Sequence, residues 1–214
     1  MSRAKPTDAL PLPGQGAASA SENEWLGPEG GRDETVTIKV AGLGGQGVLL
    51  VGVVLAEAGM REGREVSWLP SYGPEMRSGS AHCHVCLSGK RIGSPVVDNP
   101  DVLVAMNEIS LRKFAPDVAP GGLILYNRGA LPEGFSQRQA RVVCVAGSEI
   151  ADKMGTSKAA NMVMLGALVG LTGALRMETV VRVLEGQVHD AALLDADRRA
   201  LDAGRAACKA PKNS

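Results

Sequence analysis

The chain has 214 residues, a formal net charge of zero, 44% hydrophobic residues, only 3% aromatic residues, and 27 glycines. This length is enough for one domain with a sizeable core. The balanced charge disfavours a general binding surface for nucleic acid or for an anionic membrane. The longest apolar stretch, residues 159–175, is interrupted by Asn161, Thr172 and glycines, and is too short and too mixed for a membrane span.

The termini differ in composition from the centre of the chain. Residues 1–34 are rich in Ala, Pro, Gly, Ser and Glu without periodicity, which predicts either a disordered extension or an arm that docks on a partner. Residues 35–208 are predicted to form one domain, and residues 209–214 a frayed tail. The four cysteines are scattered and no secretory signal precedes them. We therefore expect free thiols and a cytoplasmic location.

Apolar segments alternate with helical patterns through the central region. Strands are predicted at residues 35–41, 65–69, 81–88, 101–106, 122–126 and 141–145, the last three of these as buried strands. Helices are predicted at residues 46–62, 111–114, 159–171, 178–186 and 191–207, and residues 70–79 are predicted to be a loop. This order predicts an α/β fold with three layers: a mostly parallel sheet, helices on its faces, a Rossmann-like first βαβ unit and C-terminal helices.

A glycine loop follows the first predicted strand and opens the first helix. It comprises Gly42, Leu43, Gly44, Gly45, Gln46 and Gly47. Its spacing matches the dinucleotide-binding pattern, but such a site also needs an acid at the end of the second strand. Residues 66–70 contain none, and Glu65 stands at the wrong end of that strand. Nicotinamide or flavin binding is therefore disfavoured. A tight turn that admits neighbouring backbone, or a site for another phosphate-bearing ligand, remains open.

A second polar segment, residues 71–79, follows the second strand. It carries Ser71, Tyr72, Glu75 and Arg77, which supply a hydroxyl, a phenol, a carboxylate and a guanidinium. A loop of this chemistry at the carboxyl edge of the sheet is typical of a functional site. Arg77 can bind a carboxylate or phosphate with two hydrogen bonds. The alternative is that Arg77 pairs with Glu75 or with the main chain and only shapes the loop.

Three further polar features have structural alternatives. On the third strand, alternation places His82, His84 and Cys86 on one face and Cys83 on the other. This set lacks a fourth metal ligand, so we expect ordinary strand residues and no metal. Asn107, at the carboxyl edge, either caps the next helix or touches a ligand. A buried hydrogen bond or a subunit contact is expected for Asn161, which lies in an apolar helix.

Several short segments, taken together, resemble a known family. They are residues 42–47 (GLGGQG), 71–79 (SYGPEMRSG), 94–97 (SPVV), 99–101 (NPD), 105–107 (AMN), 120–122 (PGG) and 161–166 (NMVMLG). In this order, and across most of residues 35–185, they resemble the gamma subunit of 2-oxoacid:ferredoxin oxidoreductases, especially the 2-oxoglutarate and ketoisovalerate branches. Ser78 stands where family members usually have Gly, and His82 and His84 are unusual for the family.

The resemblance implies a division of labour among subunits. The complex would oxidatively decarboxylate a 2-oxoacid, with 2-oxoglutarate favoured, to an acyl-CoA and CO2, and pass the electrons to ferredoxin. Alpha and beta subunits would hold thiamine diphosphate with magnesium, and 4Fe–4S clusters would lie in beta or in a ferredoxin-like delta subunit.

This chain would carry no cofactor, metal or catalytic residue, would be inactive alone, and would support assembly. Its carboxyl-edge residues would face the active-site region, along the path of coenzyme A. These residues are Gly42, Gly44, Gly45, Gln46, Gly47, Ser71, Tyr72, Glu75, Arg77 and Asn107. Two alternatives are a stand-alone Rossmann-like nucleotide-binding oxidoreductase and a purely structural scaffold subunit.

Overall fold

The computed structural model describes residues 34–72 and 80–208. The strands are β1 (Val36–Leu43), β2 (Glu65–Tyr72), β3 (Ser80–Ser88), β4 (Val102–Ala105), β5 (Leu123–Tyr126) and β6 (Arg141–Cys144). The α-helices are α1 (Val48–Arg61), α2 (Glu108–Phe114), α3 (Gly147–Lys153), α4 (Ala160–Thr172), α5 (Met177–Gln187) and α6 (Ala191–Ala207). Short 3-10 turns lie at Ala115–Asp117 and Ser157–Ala159.

The strands form one six-stranded sheet in the order β2-β3-β1-β4-β5-β6. Strands β1, β4, β5 and β6 are parallel to one another, and β3 is antiparallel to both of its neighbours. The predicted α/β class and mostly parallel sheet are therefore confirmed. The first βαβ unit differs from a Rossmann unit, because β3 lies between β1 and β2. This arrangement makes β2 an edge strand, which is a position where a proline such as Pro70 is tolerated.

Helices cover the two faces of the sheet unequally. Alternate residues of β1 and β4, such as Ile38, Val40 and Val104, belong to a large core formed with α1, α3, α4, α5 and α6. The opposite face forms a smaller core beneath α2, with Leu103, Ile124 and Phe114 among its members. Helix α4 is buried on nearly all sides, which explains its continuous apolar sequence.

Helices α4 and α6 approach each other so closely that backbone meets backbone. A Cβ built at Gly166 would lie 2.0 Å from the carbonyl oxygen of Leu201, and one built at Gly204 would lie 1.9 Å from that of Val163. Glycine is needed at both positions because no side chain fits there. In the described residues, no helix is long and apolar enough to cross a membrane.

Several element bounds differ from the sequence prediction, and α2, for example, begins at Glu108, three residues before its predicted start. Residues 70–72, predicted as loop, extend β2, because Tyr72 pairs with Ala81 of β3. Strand β6 is half-buried rather than buried, since it is the other edge of the sheet. Helix α3 was not predicted; it is only seven residues long and starts at Gly147, so its apolar periodicity is weak. The predicted extension and tail lie outside the described residues, except for Glu34.

Candidate functional site at the carboxyl edge of the sheet

The candidate site lies at one edge of the sheet, where five strands end and one, β3, begins. Leu43 at the end of β1 pairs with Ser80 at the start of β3, and Tyr72 at the end of β2 pairs with Ala81. Strands β4 and β5 run parallel to β1, so their carboxyl ends reach the same edge. The glycine loop, the end of β2 and the residues after β4 and β5 are thereby brought together.

The glycine loop makes a tight turn between β1 and α1. Gly45 and Gly47 have positive φ angles of 89° and 70°, a region that favours glycine. The N–H of Gln46 donates to the carbonyl of Leu43 over 3.1 Å. At Gly42 a Cβ would lie 2.7 Å from Cγ2 of Val48 and 3.0 Å from Cβ of Met106. The loop is therefore a tight turn, as one of the alternatives predicted, but the atoms nearest to Gly42 and Gly47 belong to side chains and not to neighbouring backbone.

The side chain of Gln46 folds back and fastens the loop from within. Its Oε1 accepts hydrogen bonds from the N–H of Leu43 over 2.7 Å and from Nδ2 of Asn107 over 2.8 Å. Asn107 also caps α2, because its Oδ1 accepts from the N–H of Ser110 over 2.9 Å. The predicted capping role of Asn107 is confirmed, and the same side chain ties the end of β4 to the glycine loop.

Asn161 of the buried helix α4 packs against the loop. It is only 6% exposed, and a Cβ built at Gly47 would lie 2.2 Å from its Nδ2. The amide of Asn161 thus fills the space that a side chain at position 47 would need. The structure shows this packing contact with the glycine loop in place of the expected buried hydrogen bond, and the other expectation for Asn161, a subunit contact, stays a prediction.

Asn127, at the end of β5, is a site residue that the sequence reasoning missed. It is 1% exposed, and its Nδ2 donates to the carbonyl of Met106 over 3.2 Å and to Oγ of Ser148 over 2.9 Å. Its Oδ1 accepts from the N–H of Ser148 over 2.9 Å. The available signal was an asparagine directly after a buried strand, which resembles the position of Asn107 two residues after β4.

The glycine loop keeps backbone donors available for a ligand. Within residues 34–72 and 80–208, the N–H groups of Gly44, Gly45 and Gly47 have no protein acceptor. Helix α1 begins directly after them without a side-chain cap. Donors of this kind at the N-terminus of a 14-residue helix suit a phosphate or another anion.

The predicted site residues fall into two groups. Gly42, Gly44, Gly45, Gln46, Gly47 and Asn107 come together around the loop just described. Ser71 is exposed near the end of β2, and the backbone of Tyr72 completes that strand. Since β3 separates β2 from β1, these two residues stand about 10 Å from the glycine loop. Glu75 and Arg77 lie outside the described residues.

The third strand separates its potential metal ligands as predicted. Cys83 packs into the large core and burial raises the pKa of its thiol to about 11. On the opposite face, burial and then the nearby Lys39 charge lower the pKa of His84 to about 4, and His84 Nδ1 accepts from the N–H of Val97 over 3.4 Å. The ring of His82 packs against that of Phe114 at an interplanar angle of 49°, with ring centroids 5.0 Å apart. In the described part of the chain, no three potential ligands are placed to hold a metal ion.

Comparison with other sequences identifies relatives. The sequence pattern of the pyruvate ferredoxin/flavodoxin oxidoreductase family matches residues 37–207. Ketoisovalerate oxidoreductase subunit VorA of Methanothermobacter thermautotrophicus is 54% identical over 140 residues, which cover 64% of this chain but 29% of VorA. 2-Oxoglutarate synthase subunit KorC of Methanothermobacter marburgensis is 33% identical over 158 residues, which cover 71% of this chain and 85% of KorC. The chain therefore spans less than a third of VorA and most of KorC.

Solved structures share the fold. The gamma subunit of a keto/oxoacid ferredoxin oxidoreductase from Geobacter sulfurreducens is 28% identical, with a TM-score of 0.69, and the match covers 81% of this chain and 98% of that subunit. A 2-oxoglutarate:ferredoxin oxidoreductase from Magnetococcus marinus is 26% identical with a TM-score of 0.77, over 85% of this chain and 32% of that chain. With the glycine loop, the ordered segments and these similarities, the chain belongs to the pyruvate ferredoxin/flavodoxin oxidoreductase family, and its fold is that of the family's gamma subunits.

Proposed function

We propose that this chain is the gamma-type component of a 2-oxoacid:ferredoxin oxidoreductase. The complex would convert a 2-oxoacid and coenzyme A into an acyl-CoA and CO2, with the electrons passing to ferredoxin. The observation that carries the proposal is the extent of the match, which covers 85% of KorC and 98% of the Geobacter gamma subunit. An independent enzyme of another class would not share a whole subunit with these proteins.

Two substrate classes follow from the names of the relatives. KorC is a 2-oxoglutarate synthase subunit and VorA a ketoisovalerate oxidoreductase subunit. The sequence favoured 2-oxoglutarate, whereas the higher identity with VorA favours a branched-chain 2-oxoacid. Activity of the assembled complex with each substrate decides between them.

The partners would hold the redox cofactors. Alpha and beta subunits would bind thiamine diphosphate with magnesium, and 4Fe–4S clusters would belong to beta or to a ferredoxin-like delta subunit. The cysteines of this chain support that division. Cys83 and Cys86 point to opposite faces of β3, and the raised pKa of Cys83 disfavours the thiolate that a cluster needs.

We propose further that the carboxyl edge of this chain meets the phosphates of coenzyme A. The unpaired amides of the glycine loop suit a phosphate. The end of β2 and the start of β3, between which Arg77 falls in the sequence, both lie at that same edge, and the guanidinium of Arg77 suits a phosphate. The solved Magnetococcus enzyme has 2-oxoglutarate, coenzyme A and succinyl-CoA bound, so coenzyme A is a ligand of an enzyme with this fold.

The assembly is tested by purifying the tagged full chain after co-expression with candidate alpha and beta subunits. We expect a stable complex that contains thiamine diphosphate and iron, and an isolated chain without activity. Oxidoreductase activity of the chain by itself, or saturable tight binding of NADH followed by fluorescence, would instead favour the stand-alone nucleotide-binding enzyme.

The coenzyme A path is tested in the assembled complex with Arg77→Ala, using Arg91→Ala on an exposed part of the surface as the matched control. Loss of a charge-assisted phosphate contact should raise the KM for coenzyme A by about tenfold and leave the KM for the 2-oxoacid unchanged. If both variants give the same KM for coenzyme A as the unaltered complex, the purely structural scaffold is the better description.

A further inference from the structure

A cleft on the α2 side of the sheet is independent of the glycine loop. Its volume is 510 Å³, and it is lined by Arg112, Ala115, Pro116 and residues 134–139. We call it the arginine cleft. The carbonyl of Gln139 accepts from the N–H of Gly121 over 2.7 Å, just before β5 begins. The cleft therefore lies toward the amino edge of the sheet, opposite the edge that carries the candidate coenzyme A site.

The arginine cleft has two walls, one formed by Arg112, Ala115 and Pro116 and the other by residues 134–139. Hydrogen bonds hold these two walls together. Gln137 bridges them, because its Nε2 donates to the carbonyl of Ala115 over 2.8 Å and its Oε1 accepts from the N–H of Gln139 over 2.9 Å. Arg112 adds a second bridge by donating from Nη2 to the carbonyl of Glu133 over 2.8 Å. The cleft thus has a fixed shape in the described structure, set by side chains that are committed to its walls.

The charges of the arginine cleft are unbalanced. Arg112 pairs through Nε with Glu108 over 2.8 Å. Arg138 is exposed and has no hydrogen bond or ion pair with any described residue. The lining contains no acidic side chain. One guanidinium with all its donors available, close to a second one, favours an oxyanion that takes two parallel hydrogen bonds.

The remaining wall of the cleft is apolar. Ala115, Pro116 and Phe135 supply hydrocarbon surface beside the arginines. A volume of 510 Å³ lies within the usual range of small-molecule sites, which combine an apolar body with a few polar anchors. From this geometry we infer that the arginine cleft binds a small molecule that carries a phosphate or carboxylate group on a compact apolar body.

The inference is tested by titrating the ¹⁵N-labelled full chain and following its backbone and arginine resonances. The probes are phenyl phosphate, benzoate, inorganic phosphate and phenol. We expect saturable shifts at Arg112, Ala115 and residues 134–139 with phenyl phosphate or benzoate. Binding should be weaker for inorganic phosphate, which lacks the apolar body, and for phenol, which lacks the charge. The tighter of the two aromatic anions identifies the anionic group.

Two variants make the test specific. Arg138→Gln removes the unpaired guanidinium and leaves both bridging hydrogen bonds in place. This variant should bind phenyl phosphate or benzoate about tenfold more weakly than the unaltered chain. The control Arg91→Gln, on another exposed segment, should change nothing. The inference would be overturned if the aromatic anions bound equally well to the two variants, or if phenol bound the unaltered chain as tightly as they do. Shifts confined to residues 42–47 would also overturn it.

Equilibrium dialysis with the assembled complex supplies the last arm of the test. Retained binding of the same probe supports a ligand site that works in the enzyme. Binding to the isolated chain that disappears on assembly would show that a partner subunit covers the arginine cleft, and it would overturn the small-molecule assignment. This outcome is independent of whether the coenzyme A proposal holds.

Discussion

Two glycines of the same loop allow the packing of the site to be measured against a matched control. Gly45 and Gly47 have φ angles of 89° and 70°, so alanine at either position is strained by about 1–2 kcal/mol. They differ in surroundings: a Cβ at Gly45 meets nothing within 4 Å, whereas one at Gly47 would lie 2.2 Å from Nδ2 of Asn161. We therefore expect Gly45→Ala to cost about 1 kcal/mol.

Gly47→Ala should cost more, because the amide of Asn161 is buried and must move. Adding the displacement of a packed side chain to the same strain gives about 3 kcal/mol. Asn161→Ala removes the two atoms nearest to the new methyl group. The double variant should therefore lose about 1–2 kcal/mol less stability than the sum of the losses of the two single variants. Urea unfolding measures the free energy of unfolding of the unaltered chain, the two single variants at positions 47 and 161, and the double variant, provided that the m-value is unchanged. Equal costs for the two glycine variants, or no coupling, would refute the packing described here.

Three other side chains give separate predictions. Gln46→Ala should lower the free energy of unfolding by about 2 kcal/mol, because the N–H of Leu43 and the amide of Asn107 lose their acceptor. Gln46→Glu keeps that acceptor and should lose less. Equal losses of the two variants in urea unfolding would contradict this. Asn127→Ala should lower the free energy of unfolding by about 3 kcal/mol. Asn127→Asp should lower it less, because its carboxylate still accepts from the N–H of Ser148. A larger loss for the aspartate variant in the same urea titrations would contradict this. Burial lowers the pKa of His84 to about 4, so NMR should show this imidazole titrating near pH 4 and not near its ordinary pKa of about 6.5. Since the unfolded chain then binds the proton more readily, its contribution to stability is intact above pH 6.5 and is lost as the pH falls toward 4; a midpoint near 6.5 would contradict its burial.

Local pattern predicted most of the elements. Helix α6 was predicted with the bounds 191–207 that the structure gives, because its apolar and polar residues alternate with a helical period. The buried strands β4 and β5 were found from short apolar runs. Helix α3 was missed because seven residues with a leading glycine give little periodicity.

Sheet order could not be read from the chain. Strand β3 is placed between β1 and β2 by pairing along its length with both, and such pairing depends on residues far apart in sequence. The same limit applies to the site. The glycine spacing predicted a tight turn, and Asn107 was predicted as a cap, but the fold of the Gln46 side chain onto Asn107 depends on the distance between β1 and β4 in the sheet. Asn127 shows the same dependence, since its partner Ser148 lies 21 residues away.

The most direct test of the central claim is coenzyme A-dependent ferredoxin reduction by the reconstituted complex, measured with and without this chain. The alpha and beta partners are assembled first, a 2-oxoacid is supplied, and acyl-CoA formation is followed together with reduced ferredoxin. We predict that omitting the chain removes most of this turnover and that adding it back restores it. Undiminished acyl-CoA formation without the chain would contradict its assignment as the gamma-type component of the enzyme.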